Sequence, residues 1–205
     1  MPQTSQGVLY SAQSSVGHNR SFAIRNGYPG MGRTLILTGR PAIGKTTLIK
    51  AVIGRVGERA GGFYTEEILG PGGRKGFRLI ALAGPSGVIA HVDFKSRSQV
   101  GRYGVDVDAI DRLGAGAIRT AVDQRPIVII DEIGRMELFS SQFQSAVLKA
   151  MSSPKTVVAT AMLVEHPWVT ALKAMPGVTV WEVTRQNRGA LIEQVIEWID
   201  AQSRA

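Results

Sequence analysis

Cysteine is absent from the 205 residues. That excludes disulfides and thiolate metal sites, and it suits a reducing cytoplasm. No apolar run approaches the ~20 residues that a bilayer-spanning helix needs, so no membrane segment is expected. No five basic residues follow one another, and aromatic residues are not interleaved with Lys or Arg as a nucleic-acid stacking platform requires. The formal net charge of +8 is therefore scattered. Such a surface suits an anionic small substrate such as a triphosphate better than a nucleic-acid groove. Met1 to Gly30 contains no Asp, Glu or Lys and shows no sustained periodicity. Its serine and glutamine content, with Arg20 and Arg25 as its basic residues, shares features with an organellar transit peptide. The segment has too little apolar surface to offset its ordering entropy, and it reads as a disordered extension or a wrongly assigned start. The folded unit is expected over 31–205, beginning near Met31.

What is present begins with Gly39-Arg40-Pro41-Ala42-Ile43-Gly44-Lys45-Thr46, which fits G-x-x-x-x-G-K-[ST]. Four constrained positions give a chance match in a chain of this length of roughly 1%. The glycines let backbone N–H groups turn inward around an anion. Lys45 is expected to bring charge to the β- and γ-phosphates, and the Thr46 hydroxyl to hold Mg²⁺, a cation that prefers oxygen ligands. Thr34 to Thr38 reads as a buried strand before the loop, and Thr47 to Val56 as a helix after it, the order that such a loop requires. Pro41 lacks an N–H to donate. Ala42 stands where a left-handed backbone would cost about 1 kcal/mol or more.

The second element is Ile127-Val128-Ile129-Ile130 followed by Asp131-Glu132. Four β-branched apolar residues suit a central parallel strand, and open α/β sheets bind ligands at the carboxyl ends of such strands. Asp131 is expected to hold Mg²⁺ and Glu132 to orient and deprotonate the attacking water.

Elsewhere, Gly61–Ile68, Gly76–Leu82 and Val88–Phe94 read as strands separated by Gly/Pro turns, an antiparallel meander on the edge of the main sheet. His91 has no visible ligand partners and reads as structural. Ser98 to Asp106 reads as a loop, with Asp106 or Asp108 starting a short helix. Phe139, Phe143, Val147 and Ala150 mark the core face of a helix over 138–151. Thr156–Thr160 and Val178–Val183 read as strands around a helix over 167–174. Asn187 is expected to cap a last helix whose buried face is Leu191, Val195, Trp198 and Ile199. The alternation implies α/β architecture, a mostly parallel sheet with helices on both sides and an added antiparallel β-meander.

The loop Gly39–Thr47, Gly62-Phe63-Tyr64-Thr65-Glu66-Glu67, Gly76-Phe77-Arg78, Val100-Gly101-Arg102-Tyr103-Gly104-Val105, Asp131-Glu132-Ile133-Gly134-Arg135-Met136-Glu137-Leu138 and Val183-Thr184-Arg185-Gln186-Asn187-Arg188 together resemble a family. It is the small nucleoside-triphosphatases that include the thermophilic nucleoside-triphosphate phosphohydrolases and the cancer-related nucleoside-triphosphatase. The resemblance runs from about Leu35 to Ile199. It implies a three-layer P-loop NTPase fold and Mg²⁺-dependent hydrolysis of ATP, GTP or other nucleoside triphosphates to diphosphate and phosphate. It places Lys45, Thr46, Asp131 and Glu132 at the family's functional positions, with Arg40, Pro41, Ala42, Ile43, Gly44, Thr47 and Gly134 around the nucleotide. Arg135 stands where a lysine is more usual. Arg102, Arg135, Asn187 and Arg188 are the candidates for transition-state or base contacts, and Met162-Leu163-Val164-Glu165 lacks a basic residue expected near the site. Two other functions stay open on these residues: a kinase acting on a nucleoside or other small acceptor, and a nucleotide-dependent RNA- or DNA-binding protein. Base preference and oligomeric state are not encoded in these motifs.

Overall fold

The computed structural model describes residues 33–204, so the expectations for the first thirty residues and for a start near Met31 lie outside the described residues. Among the described residues nine strands form one sheet in the order β5-β6-β4-β3-β2-β7-β8-β1-β9. The strands are β1 (Thr34–Gly39), β2 (Ala60–Gly70), β3 (Gly73–Ala81), β4 (Gly87–His91), β5 (Gln99–Val100), β6 (Tyr103–Val105), β7 (Ile127–Ile133), β8 (Thr156–Met162) and β9 (Val178–Glu182). β2, β7, β8, β1 and β9 run parallel. β3, β4, β6 and β5 continue the sheet in antiparallel fashion. The meander expected at the sheet edge is therefore present, and β2 is the strand shared by both parts.

Alternation along the parallel strands sends apolar side chains to two separate cores. Leu35 and Leu37 of β1 pack with Leu48, Ile49 and Val52 of α1 (Lys45–Val56) and with Val195 and Ile199 of α6 (Leu191–Arg204). Ile36 faces the opposite core, with Ile118 of α3 (Gly116–Gln124), Phe143 and Val147 of α4 (Ser141–Met151), and Val169 of α5 (Pro167–Lys173). Phe63 meets Phe143 edge to face with centroids 6.0 Å apart. Helices on both faces make the molecule three-layered.

Three local expectations need correction. Ser98 to Asp106 is not a plain loop, since β5 and β6 form a short hairpin there. Gly101 at φ 58° supplies its tight turn. The helix expected near Asp106 is much longer. Asp106 caps α2 (Val107–Ala109), its carboxylate accepting from the Ala109 N–H at 2.8 Å, and a π-helical segment Ile110–Ala115 leads directly into α3. Gly114 and Gly116 obscure that run in the sequence. α4 begins at Ser141 because Ser140 caps it, its hydroxyl accepting from Phe143 N–H at 2.8 Å. Phe139 thus precedes the helix and is exposed, whereas Phe143, Val147 and Ala150 are buried as expected.

Candidate active site

The loop after β1 turns at Gly44, whose φ of 106° is left-handed territory that glycine enters freely. Ala42 adopts φ 59° despite its Cβ, at a cost of about 1–2 kcal/mol. A strained residue of this kind persists where its surroundings over-determine it. Arg40, Pro41, Ala42 and Thr47 are exposed, while Ile43, Gly44 and Thr46 are half-buried. Lys45, the first residue of α1, is buried. Its Nζ donates to the Gly39 carbonyl at 3.2 Å and lies 4.0 Å from Glu132 Oε1.

β7 delivers the two acids through an irregularity. Its pairing with β8 is regular up to Ile130↔Ala159 and resumes at Ile133↔Ala161, so β7 has one residue more than its partner. Such a bulge re-aims side chains beside a functional edge. Asp131 is fully buried. It accepts from Thr160 Oγ1 at 2.7 Å and from the Thr65 N–H at 3.3 Å and hydroxyl at 3.4 Å. Burial pushes its carboxyl above the usual range, opposed by hydrogen bonds from Thr160, Thr46 and Thr65 and by the charge of Lys45. Glu132 is half-buried. Burial raises it too, Lys45 lowers it, and Asp131 raises it.

Behind this pair lies a third acid. Glu137 is buried, and its Oε2 accepts from the Gly134 N–H at 3.1 Å. Burial and the neighbouring Glu132 push its carboxyl up to about 8. Gly134 is confined between the two side chains. A Cβ built there would lie 3.0 Å from Glu137 Oε2 and 3.6 Å from Glu132 Cδ.

The basic candidates separate. Arg188 reaches the loop, with Nη1 donating to the Ile43 carbonyl at 3.5 Å and a virtual Gly44 Cβ 3.8 Å away. Asn187 does not cap α6, which begins four residues later. Its side chain instead accepts from the Thr184 N–H and donates to the Glu182 carbonyl, both at 2.8 Å, and so shapes the turn that carries Arg188. Arg135 is exposed. Arg102 donates to the Arg74 carbonyl and stacks on Tyr103, with its centre 5.4 Å from that ring. It sits beside β6, six strand positions from β1, on the order of 29 Å along the sheet at ~4.8 Å per strand. The structure does not bring it to the phosphate loop.

Four residues around the acids and the loop were not singled out from the sequence as site residues: Thr65, Thr160, Glu137 and Lys173. Thr160 lies near the carboxyl end of β8, and Thr65 lies in mid-β2, just past its last pairing with β7 at Phe63. Lys173 comes from the far end of α5.

Comparison with known proteins gives the family and the fold. The family model described as NTPase matches residues 34–196. The nucleoside-triphosphatase THEP1 of Thermotoga petrophila is 39% identical over 162 residues, covering 79% of this chain and 90% of that protein. The crystal structure of THEP1 from the hyperthermophile Aquifex aeolicus superposes with a TM-score of 0.74 at 38% identity, covering 81% of this chain and 98% of the other. The solution structure of a human cancer-related nucleoside triphosphatase gives a TM-score of 0.71 at 33% identity, covering 83% and 98%.

Proposed function

This chain belongs to the nucleoside-triphosphatase family, and from that premise we propose that it is an enzyme that hydrolyses ATP, GTP and other nucleoside triphosphates to diphosphate and phosphate in a Mg²⁺-dependent reaction. The observation that supports this reading most is the approach of Lys45 to Glu132, 4.0 Å apart, at the joined ends of the phosphate loop and β7.

In this reading the N–H groups of the loop and the Lys45 ammonium bind the triphosphate. Lys45 offsets charge on the equatorial oxygens of the γ-phosphoryl group. Glu132 orients a water for in-line attack and accepts its proton. The water oxygen bonds to the γ-phosphorus as the bond to the bridging oxygen breaks, and the diphosphate leaves with that electron pair. Burial raises the Glu132 carboxyl, which makes it a better base, while the charge of Lys45 opposes that rise. Thr46 and Asp131 suit a hard cation, because both offer oxygen ligands and the Thr46 hydroxyl lies close enough to Asp131 to favour its ionised form. Mg²⁺ held by Thr46 and Asp131 would supply charge neutralisation for the reacting phosphate. Arg188, whose guanidinium approaches Gly44 and the Ile43 carbonyl, contacts the nucleotide in this reading. Among the described residues no helix is long and apolar enough to cross a membrane, and the lack of cysteine suits a cytoplasmic setting.

The test is phosphate release from ATP, GTP, CTP and UTP with and without Mg²⁺, by wild type and Glu132→Gln. The variant is expected to bind nucleotide normally while kcat falls at least ~100-fold. Turnover near that of wild type would remove Glu132 from its role. Phosphate appearing on an added nucleoside instead of in solution would make the enzyme a kinase.

A further inference from the structure

Lys173, the last residue of α5, sends its side chain across the carboxyl ends of β8 and β1. Its Nζ donates to the Met162 carbonyl at 3.0 Å and to Thr38 Oγ1 at 3.4 Å. Thr38 immediately precedes Gly39, whose carbonyl accepts from Lys45. Two ammonium groups are thus tethered to consecutive residues of β1. Among the described residues no carboxylate lies within 4.0 Å of Lys173, and the single carboxylate near Lys45 is at that limit. Burial and the charge of Lys45 both hold the Lys173 ammonium below its ordinary pKa. Two ammonium groups are therefore gathered where the loop would place a polyphosphate, and Lys173 has no carboxylate of its own. Binding an anion there relieves a repulsion that the free protein carries.

We propose that Lys173 is a second phosphate-binding cation, which leaves the strand ends to contact the terminal phosphate of a bound nucleoside triphosphate. A four-carbon stem gives the ammonium room to move, and the 3.4 Å bond it gives up is weak. In that position it neutralises charge that grows as the terminal bond breaks, the duty an arginine performs in other phosphoryl-transfer enzymes. It also reads the number of phosphates, since a diphosphate leaves it without a partner. Two of the other candidates do not fill this place: Arg102 is held at Arg74, and Arg188 touches the loop at its α1 end. The inference rests on the nucleotide site proposed above.

Calorimetric titration of wild type, Lys173→Met and Lys173→Gln with a non-hydrolysable ATP analogue and with ADP, both with Mg²⁺, tests it. Both variants are expected to lose about tenfold in analogue affinity, to keep ADP affinity within about threefold, and to lose at least ~10-fold in kcat. Lys173→Arg should recover part of the kcat. An analogue-to-ADP affinity ratio equal to that of wild type in a folded variant would overturn the proposal and leave Lys173 as a strand-end tie. Should Lys173→Met fail to fold, Lys173→Gln decides, because it can still donate to the Met162 carbonyl without the charge. Failure of the underlying site would show differently, as Lys45→Ala binding the analogue like wild type.

Discussion

In the three central parallel strands, burial is nearly complete: every residue of β1 and β8 and all but one of β7 is buried, and helices cover both faces. In the antiparallel strands burial is partial, and β3 is mostly exposed or half-buried. Their polar groups also behave differently. In the meander, two arginines are satisfied nearby: Arg74 pairs with Glu67 and Tyr103, and Arg102 with the Arg74 carbonyl. At the carboxyl ends of the parallel strands, charged groups are crowded and incompletely paired: Asp131, Glu132, Glu137, Lys45 and Lys173. Parallel strands bring their carboxyl ends to one edge, so residues remote in sequence meet there. Antiparallel hairpins pair each residue with a near neighbour and so tend to settle their own charges. Unsettled charge therefore gathers at the edge proposed as reactive, and the meander extends the sheet away from it.

The sharpest way to break this comparison is Lys45→Ala. It removes the cation closest to Glu132 and is expected to lower kcat/KM by at least ~10²- to 10³-fold with cooperative unfolding retained. Near-normal steady-state kinetics would contradict the assignment of the reactive edge.

Glu137 gives a second, intermediate effect that appears in stability. Its carboxyl, ordinarily near 4.5, is pushed up to about 8 in the folded chain. Between those values the folded protein keeps a proton that the unfolded chain has released. Stability therefore declines as pH rises from about 4.5 to about 8, then levels off. Glu137→Gln keeps an oxygen to accept from the Gly134 N–H but cannot ionise. Its Tm relative to wild type is expected to rise progressively across that window. Parallel Tm–pH curves from thermal melts would show that Glu137 ionises as an ordinary carboxyl.

The smallest effect is expected from the meander. Arg102→Ala should change kcat by less than about threefold, because its hydrogen bond and its ring contact both lie in the antiparallel half. A tenfold loss would show that the hairpin folds onto the nucleotide and would erase the distinction between the halves.

Most elements were legible in the sequence because their signals are local. The β1–loop–α1 unit is a contiguous run of strand, glycines and helix, and β7 announces itself by four β-branched residues before two acids. The β5–β6 hairpin was not legible, since its strands are two and three residues long. The 107–124 helical run was hidden by glycines that a π-helical segment accommodates. Phe139 has the right spacing for the core face, but the Ser140 cap starts the helix after it. Asn187 has a side chain suited to capping, yet it serves the 182–188 turn.

By itself, the sequence determined the phosphate loop, the acid pair and the alternation that makes the fold α/β, because each depends on residues adjacent in the chain. Only the tertiary structure decided which hydroxyls hold Asp131, which arginine lies by the loop and which is spent elsewhere, and that Lys173 reaches Thr38 across 135 residues. The reason is physical: strand order is settled by burying two apolar faces at once, and no local preference specifies which strand ends then become neighbours.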